Sequence, residues 1–339
     1  MTLPSVFEPL QTTRQFFYSE KHRICFLSLL KVASTATMYW FSELLAVREQ
    51  LDSVIQEKRK KGLSVNIHTE LPRLLPHACI QDYQKIIEFV KTQDYFSFTV
   101  VRNPYKRMFS LWTQKVLEKS GLEGDIDDSN QRLSGQVTLT VSDVRANFED
   151  FVVRFSQSKN IFSPENGFNR HWIPQTTLLR YPEIPFTLIA KLENPQELND
   201  ALENRLGPDI PPVLRQSRDV NASQFTYRPE FFTDKARELI LRMYAADFEA
   251  FDYDRSLPPV TSEFCEETIE STLRAIIKLR MQRLVRETES VRQSNRSLRS
   301  ELKKCRQRLQ PATSKGLPLQ LLNLAKKFSR SLRGKEKTS

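Results

Sequence analysis

The chain has 339 residues, 39% of them hydrophobic, with 51 Lys and Arg against 41 Asp and Glu and a net charge of +10. Residues 271–339 carry 19 Lys and Arg against four Glu, a surplus of 15 that leaves residues 1–270 at −5. The high pI therefore belongs to the tail and gives no reason to expect a nucleic-acid partner for the rest. Four widely spaced cysteines, Cys25, Cys79, Cys265 and Cys305, form no CxxC pair, which argues against a disulfide framework or a zinc site and for a reducing, cytoplasmic setting.

The N-terminal Thr2-Leu3-Pro4-Ser5 lacks a basic and an apolar leader region. No stretch approaches the roughly 20 apolar residues that span a bilayer, so neither a secreted nor a membrane-spanning chain is expected. After an extension over 1–20, the first strand is predicted at Ile24–Leu30, followed by a helix over about Thr35–Leu51 with Met38, Phe41, Leu44, Leu45 and Val47 on its apolar face. A Lys-rich polar stretch runs to Gly62, and residues 63–80, with Pro72 and Pro76, read as loop. A helix over Gln81–Gln93 leads to a second strand, Phe96–Val101. Pro104 then suits the first turn of a helix reaching about Lys119, because its missing N–H would have no intrahelical partner there.

Residues 120–142, rich in Gly, Asp and Ser, read as a surface insertion. A helix over Val144–Ser156 precedes an irregular stretch carrying Asn169-Arg170-His171-Trp172-Ile173-Pro174-Gln175. Phe186–Lys191 is a third strand, Pro195–Arg205 a helix, and Arg228–Phe248 the last globular helix. Alternating strands and helices predict an α/β domain over 21–257, a P-loop-like parallel sheet flanked by helices.

Beyond Pro259 the pattern becomes a heptad. Met281, Thr288, Asn295, Leu302 and Leu309 fall at position a, and Ile277, Leu284, Val291, Leu298 and Cys305 at d. This predicts a coiled coil over 258–310 and a homo-oligomer. The tail, 311–339, contains a basic amphipathic stretch over Leu317–Arg333 that is suited either to peripheral contact with an anionic membrane or to plain solvation.

Two strand-to-helix junctions carry the chemistry. At the first, Lys31-Val32-Ala33-Ser34-Thr35-Ala36-Thr37, small residues stand where a Walker loop has glycines. Helix-start N–H groups, the Ser34, Thr35 and Thr37 hydroxyls and the Lys31 ammonium can all meet an anion there. At the second, Arg102 leaves a strand end, where open α/β sheets bind ligands, and Ser110 follows roughly two helical turns later. Lys106 and Arg107 read as solvated helix charges.

With these residues the chain resembles the carbohydrate sulfotransferases that include the chondroitin and heparan uronyl 2-O enzymes, which use 3′-phosphoadenosine 5′-phosphosulfate (PAPS). Lys31-Val32-Ala33-Ser34-Thr35 is similar to the family's 5′-phosphosulfate loop, and Arg102-Asn103-Pro104-Tyr105-Lys106-Arg107-Met108-Phe109-Ser110 to its 3′-phosphate motif. His171-Trp172-Ile173-Pro174-Gln175, Ile189-Ala190-Lys191-Leu192-Glu193 and Tyr244-Ala245-Ala246-Asp247-Phe248 resemble further family segments. Leu30 in place of Pro and Ala190 in place of Gly depart from the pattern.

The resemblance implies sulfuryl transfer to a carbohydrate or glycolipid hydroxyl, no metal, and Lys31 on the bridging oxygen of the donor. His68 is preferred as general base, with Glu70 as fallback, and His171 and Trp172 are expected to line the acceptor side. Arg73, Arg170 and Arg180 could meet an anionic acceptor, though surface solvation accounts for each. The alternatives are a small-molecule kinase, which would want Walker glycines and a Mg²⁺-binding Asp, and a non-catalytic coiled-coil scaffold that binds a nucleotide.

Overall fold

A computed structural model of the chain describes residues 12–61, 63, 65–118, 140–157, 171–213 and 225–313. Most of the expected insertion, the Asn169-Arg170 pair and the basic stretch Leu317–Arg333 lie outside the described residues. The centre is a five-stranded sheet of β1 (Thr12–Ser19), β2 (Ile24–Leu27), β3 (Cys79–Asp82), β4 (Phe96–Val101) and β5 (Leu188–Lys191), in the order β3-β1-β2-β4-β5. Strands β2, β4 and β5 run parallel, whereas β1 is antiparallel to both β2 and β3. The sheet is thus mixed rather than parallel throughout. Residues 12–19, expected in an extension, form a strand inside it.

Register explains the tight centre. Phe17 faces Phe26 across β1 and β2, and Phe26 faces Phe98 across β2 and β4. The rings stack at 5.4 Å in each pair, and such cross-strand contacts are the unit of sheet stability. All four residues of β2 are buried, which is why that strand shows as a continuous apolar run.

Around the sheet, the single helix expected over Thr35–Leu51 is two, α1 (Ser34–Leu44) and α2 (Arg48–Lys60). They break where Ala46 takes a φ of 54°. The expected loop over 63–80 holds α3 (Ile67–Leu74), which runs through Pro72 and starts from a capping box between Asn66 and Thr69. Helix α4 (Tyr83–Thr92) is capped by Asp82 and α5 (Pro104–Trp112) by Asn103, and α5 passes into a π turn over Thr113–Glu118. There follow α6 (Val141–Gln157), α7 (Gln175–Leu178), α8 (Pro195–Leu206), α9 (Asp234–Met243) and α10 (Ala245–Ala250). The last two replace the one helix expected over Arg228–Phe248. Helix α11 (Glu266–Thr313) is continuous over 48 residues. Among the described residues no helix is long and apolar enough to cross a membrane.

Two apolar clusters form the core. One surrounds the sheet. The other joins α5, α6, α9 and the first turns of α11, with Ile269, Leu273 and Ile276 buried in it. The chain divides into two units at Lys278 and Leu279, so the start of α11 belongs with the globular part and the boundary falls later than the expected residue 258. Phe109 is the hub of the second cluster, its ring within 5.4–6.1 Å of Trp112, Phe148, Phe225, Tyr227, Phe231 and Phe232. Phe109→Ala should therefore lower unfolding free energy by about 3–5 kcal/mol, read as a lower urea midpoint at unchanged slope.

Candidate active site

Strands β2 and β4 are neighbours and parallel, so the loops leaving their carboxyl ends open on the same edge of the sheet. Arg102 directly follows β4, and its Nη1 donates to the Lys31 carbonyl at 3.2 Å. The two junctions singled out in the sequence are thus one place. Lys31 (φ 71°) and Ala33 (φ 62°) both sit in the left-handed region without being glycine, a conformation costing on the order of 1–3 kcal/mol per residue. The sharp turn makes Ala33 the N-cap of α1, and no side chain caps that helix. The first-turn N–H groups of α1 and the positive end of its dipole are left to meet an anion.

Not every hydroxyl in the loop points the same way. Thr37 turns its Oγ1 back to the Ala33 carbonyl at 3.4 Å, while Thr35 Oγ1 lies 3.3 Å from His68 Nε2. Ser34 is buried, and Val32 is almost fully so. The Lys31 ammonium donates to Gln114 Oε1 in the π turn that extends α5. Gln114 escaped the sequence reading, which saw only an ordinary helix there. π turns occur often at functional sites.

His68, on α3, is partly buried. Burial, with the Lys31 charge adding to it, pulls its pKa down to about 4, so the ring is neutral at physiological pH. Its Nδ1 is buried with no hydrogen-bond partner among the described residues, so no second group fixes the tautomer.

Arg102 is held from its main chain. Gln175 Oε1 accepts the Arg102 N–H at 2.9 Å, and Gln175 Nε2 donates to the Arg102 carbonyl at 2.9 Å. Gln175 opens α7, whose first two N–H groups donate to the Asp247 carboxylate at 2.8 Å each. Glu193, just after β5, accepts from the Asn103 N–H at 3.1 Å and from the Tyr253 hydroxyl at 3.0 Å. Burial pulls the Arg102 guanidinium pKa down, and Glu193 offsets this. Ser110 is partly exposed on α5.

Four side chains depart from their expected settings. Trp172, expected on the acceptor side, is 1% exposed and packs on Phe151 and Phe155 at 5.6 and 4.7 Å, so it fills the core. Arg107 is buried, donates to the His171 carbonyl at 3.2 Å, and lies beside Tyr244 and Asp247; it braces the interior rather than charging the surface. Glu70, the fallback base, is buried between Lys58 at 2.5 Å and Arg73 at 3.0 Å. Lys58 above all holds its pKa below the ordinary carboxylate value, so it is committed to structure. Arg180 is 8% exposed and paired with Glu183 at 2.6 Å, away from solvent. His171 is half-buried, held through its carbonyl by Arg107.

The lowered His68 pKa has a measurable sign. Between about 4 and the unfolded value near 6.5, the unfolded chain binds a proton that the folded chain does not. The contribution of His68 to stability is full above about pH 6.5 and is lost as pH falls toward 4. His68→Gln should flatten that part of the stability profile, checked by urea midpoints at about pH 5 and about pH 7.5. An unchanged slope would mean that His68 titrates normally.

Comparison with known proteins agrees with this geometry. The model of the sulfotransferase family matches residues 14–254, from within β1 to just beyond Tyr253. Carbohydrate sulfotransferase 10 of Rattus norvegicus is 24% identical over 265 residues, covering 71% of this chain and 67% of the relative. Carbohydrate sulfotransferase 10 of Danio rerio is 25% identical over 278 residues, covering 72% and 69%. No solved structure matches. With the family model spanning both junctions and the segments that brace them, this chain belongs to the sulfotransferase family.

Proposed function

We propose that the protein is a PAPS-dependent carbohydrate sulfotransferase, moving a sulfuryl group onto a hydroxyl of a carbohydrate or glycolipid. The observation that carries this reading is the contact between Arg102 and the Lys31 carbonyl, which brings a cation just after β4 and one in the loop after β2 beside the uncapped start of α1. Such an edge fits a ligand with anionic groups at two ends. The family and the names of the relatives support the donor and the acceptor class.

PAPS, when bound, supplies an activated sulfuryl group on a phosphosulfate linkage. The residues Lys31 to Thr37 would hold its 5′ end through the α1 N–H groups and the Ser34 and Thr35 hydroxyls. Arg102 and Ser110 would hold the 3′-phosphate. Lys31 would balance charge that develops on the leaving oxygen, the electrostatic role that dominates this kind of transfer. His68, neutral and beside Thr35, would take the acceptor's proton, and half-buried His171 remains the candidate to line the acceptor side. A reducing, cytoplasmic setting belongs to the reading. So do self-association through α11 and peripheral membrane contact through Leu317–Arg333.

Thermal-shift titration should show stabilisation by adenosine 3′,5′-bisphosphate and none specific to ATP with Mg²⁺. Preference for ATP would sink the reading in favour of a kinase, and bisphosphate binding without sulfate transfer to any glycan in a panel would favour a scaffold. Lys31→Ala should cut turnover about 10²–10³-fold while weaker donor binding persists. Arg102→Ala should weaken bisphosphate binding about 10–100-fold. Near-normal turnover of Lys31→Ala would refute its role.

A further inference from the structure

From Leu279 onward α11 belongs to the second unit. Beside Leu279 and Val285, five more of its apolar residues there stand in solvent: Met281, Leu284, Val291, Leu298 and Leu302 are 37–59% exposed. They fall on the a and d positions of one continuous heptad frame, so they form a single stripe from Met281 to Leu302, roughly 30 Å long at 1.5 Å per residue. A solitary helix with such a stripe is marginal in water, because most helical stability comes from packing an apolar face. The stripe asks for a partner of the same length and period.

We propose that this segment pairs with the same segment of a second copy as a two-stranded, parallel, in-register coiled coil. The inference rests on the self-association reading above and specifies its strand number, direction and register. Three features of the sequence carry it. The first is Asn295, the only amide among the a positions from Met281 to Leu309. In a parallel, in-register pair it meets its own copy, and the two amides can bond each other. In an antiparallel pair, a positions face d positions, and Asn295 would sit against apolar residues such as Val291 or Leu298. A single a-position Asn is a known determinant of register and strand number.

The second feature is charge at the flanking positions. Glu287 and Glu301 fall at g, and Arg292 and Arg306 fall at e. In a parallel pair each g residue faces the e residue five places on in the other strand, giving Glu287 with Arg292 and Glu301 with Arg306, both of opposite sign. The remaining pairs, Arg280 with Val285 and Ser294 with Arg299, bring no like charges together. An antiparallel pair sets e against e, and there Arg292, Arg299 and Arg306 would face one another. Such flanking charges set orientation more than strength.

The third feature disfavours a rival occupant from the same chain. The amphipathic stretch Leu317–Arg333 carries Lys326, Lys327, Arg330 and Arg333 and no acidic residue, while residues 279–313 hold ten Lys and Arg against three Glu. Folding one basic segment along the other would bring four more cations against ten, with only three Glu to compensate them. The second copy brings its own Glu287 and Glu301 to the places where Arg292 and Arg306 stand.

The test uses the full chain with Cys265→Ser and Cys305→Ser, and Leu284→Cys as the only engineered thiol. Light scattering should give the mass of a dimer, and a short bismaleimide should link two chains in high yield. In an antiparallel pair of the same extent the two thiols would lie about 15 residues apart along the axis, roughly 22 Å, beyond the reach of a short reagent. As a second measurement in the unsubstituted chain, Glu287→Lys with Glu301→Lys should weaken the dimer about tenfold, and adding Arg292→Glu with Arg306→Glu should restore it. A monomeric mass would overturn both the self-association reading and this inference. A dimer without the cross-link and without charge rescue would overturn the parallel arrangement alone, and a trimeric mass would overturn the two-stranded one.

Discussion

The Asp247 carboxylate has no solvent exposure, and the corner formed by Lys31 and Arg102 depends on how its charge is satisfied. Burial pushes its pKa up, while Arg107 and the α7 amides pull it down. Leaving such a group unpaired would cost several kcal/mol, so the elements around it have little freedom. The N–H groups of Gln175 and Thr176 and the Thr176 hydroxyl converge on it at 2.8–2.9 Å. A helix of only four residues, α7, thereby gains the cap it could not supply locally. With α7 fixed, the Gln175 amide reads both main-chain groups of Arg102, and Arg102 in turn holds the Lys31 carbonyl. Phe248, next to Asp247, is buried in the second aromatic cluster. The chain of constraint therefore runs from that core, through Asp247 and Gln175, to the edge of the sheet.

This helps to explain how a loop without glycine keeps two left-handed residues. Lys31 and Ala33 would each relax elsewhere if the turn were free. The Arg102 guanidinium on the Lys31 carbonyl and the Gln114 amide on the Lys31 ammonium hold the residue from both ends. The gain is an uncapped helix start: a side chain capping α1, as Asn103 caps α5, would occupy the N–H groups that an anion needs.

Much of this was legible in the sequence, and the exceptions have physical reasons. Strand β4 and the start of α5 were clear because a run of aromatic and β-branched residues, broken only by Ser97, is followed one residue later by a capping Asn and a Pro. Strand β1 was missed because Thr12-Thr13-Arg14-Gln15 is polar and only Phe16 and Phe17 announce burial. Strand β3, at one margin of the sheet, is short and largely part-exposed, so it has no apolar run to show. Helix α3 was hidden by Pro72, whose usual meaning as a breaker was overridden by a capping box and by burial of Ile67 and Leu71. At the site, Lys31 and Arg102 were found from their strand ends. Trp172 and Arg107 were misplaced because residue type does not reveal which face of the fold a side chain meets. Gln175 was in view, but its role depends on main-chain atoms 73 residues away in sequence, and no local pattern encodes that.

The electrostatics of the site couple its two halves. Burial first, and the Lys31 charge second, lower the pKa of His68. An imidazole with pKa about 4 is a weak base, poorly matched to proton transfer near neutrality. Any anion that neutralises Lys31 removes the charge opposing protonation of His68, and its own field raises the pKa further. Basicity at His68 would then rise with occupancy of the α1 corner and fall when it empties. On the proposed reading, proton acceptance at His68 would strengthen when the α1 corner is filled, against the larger effect of burial, without any change of backbone conformation.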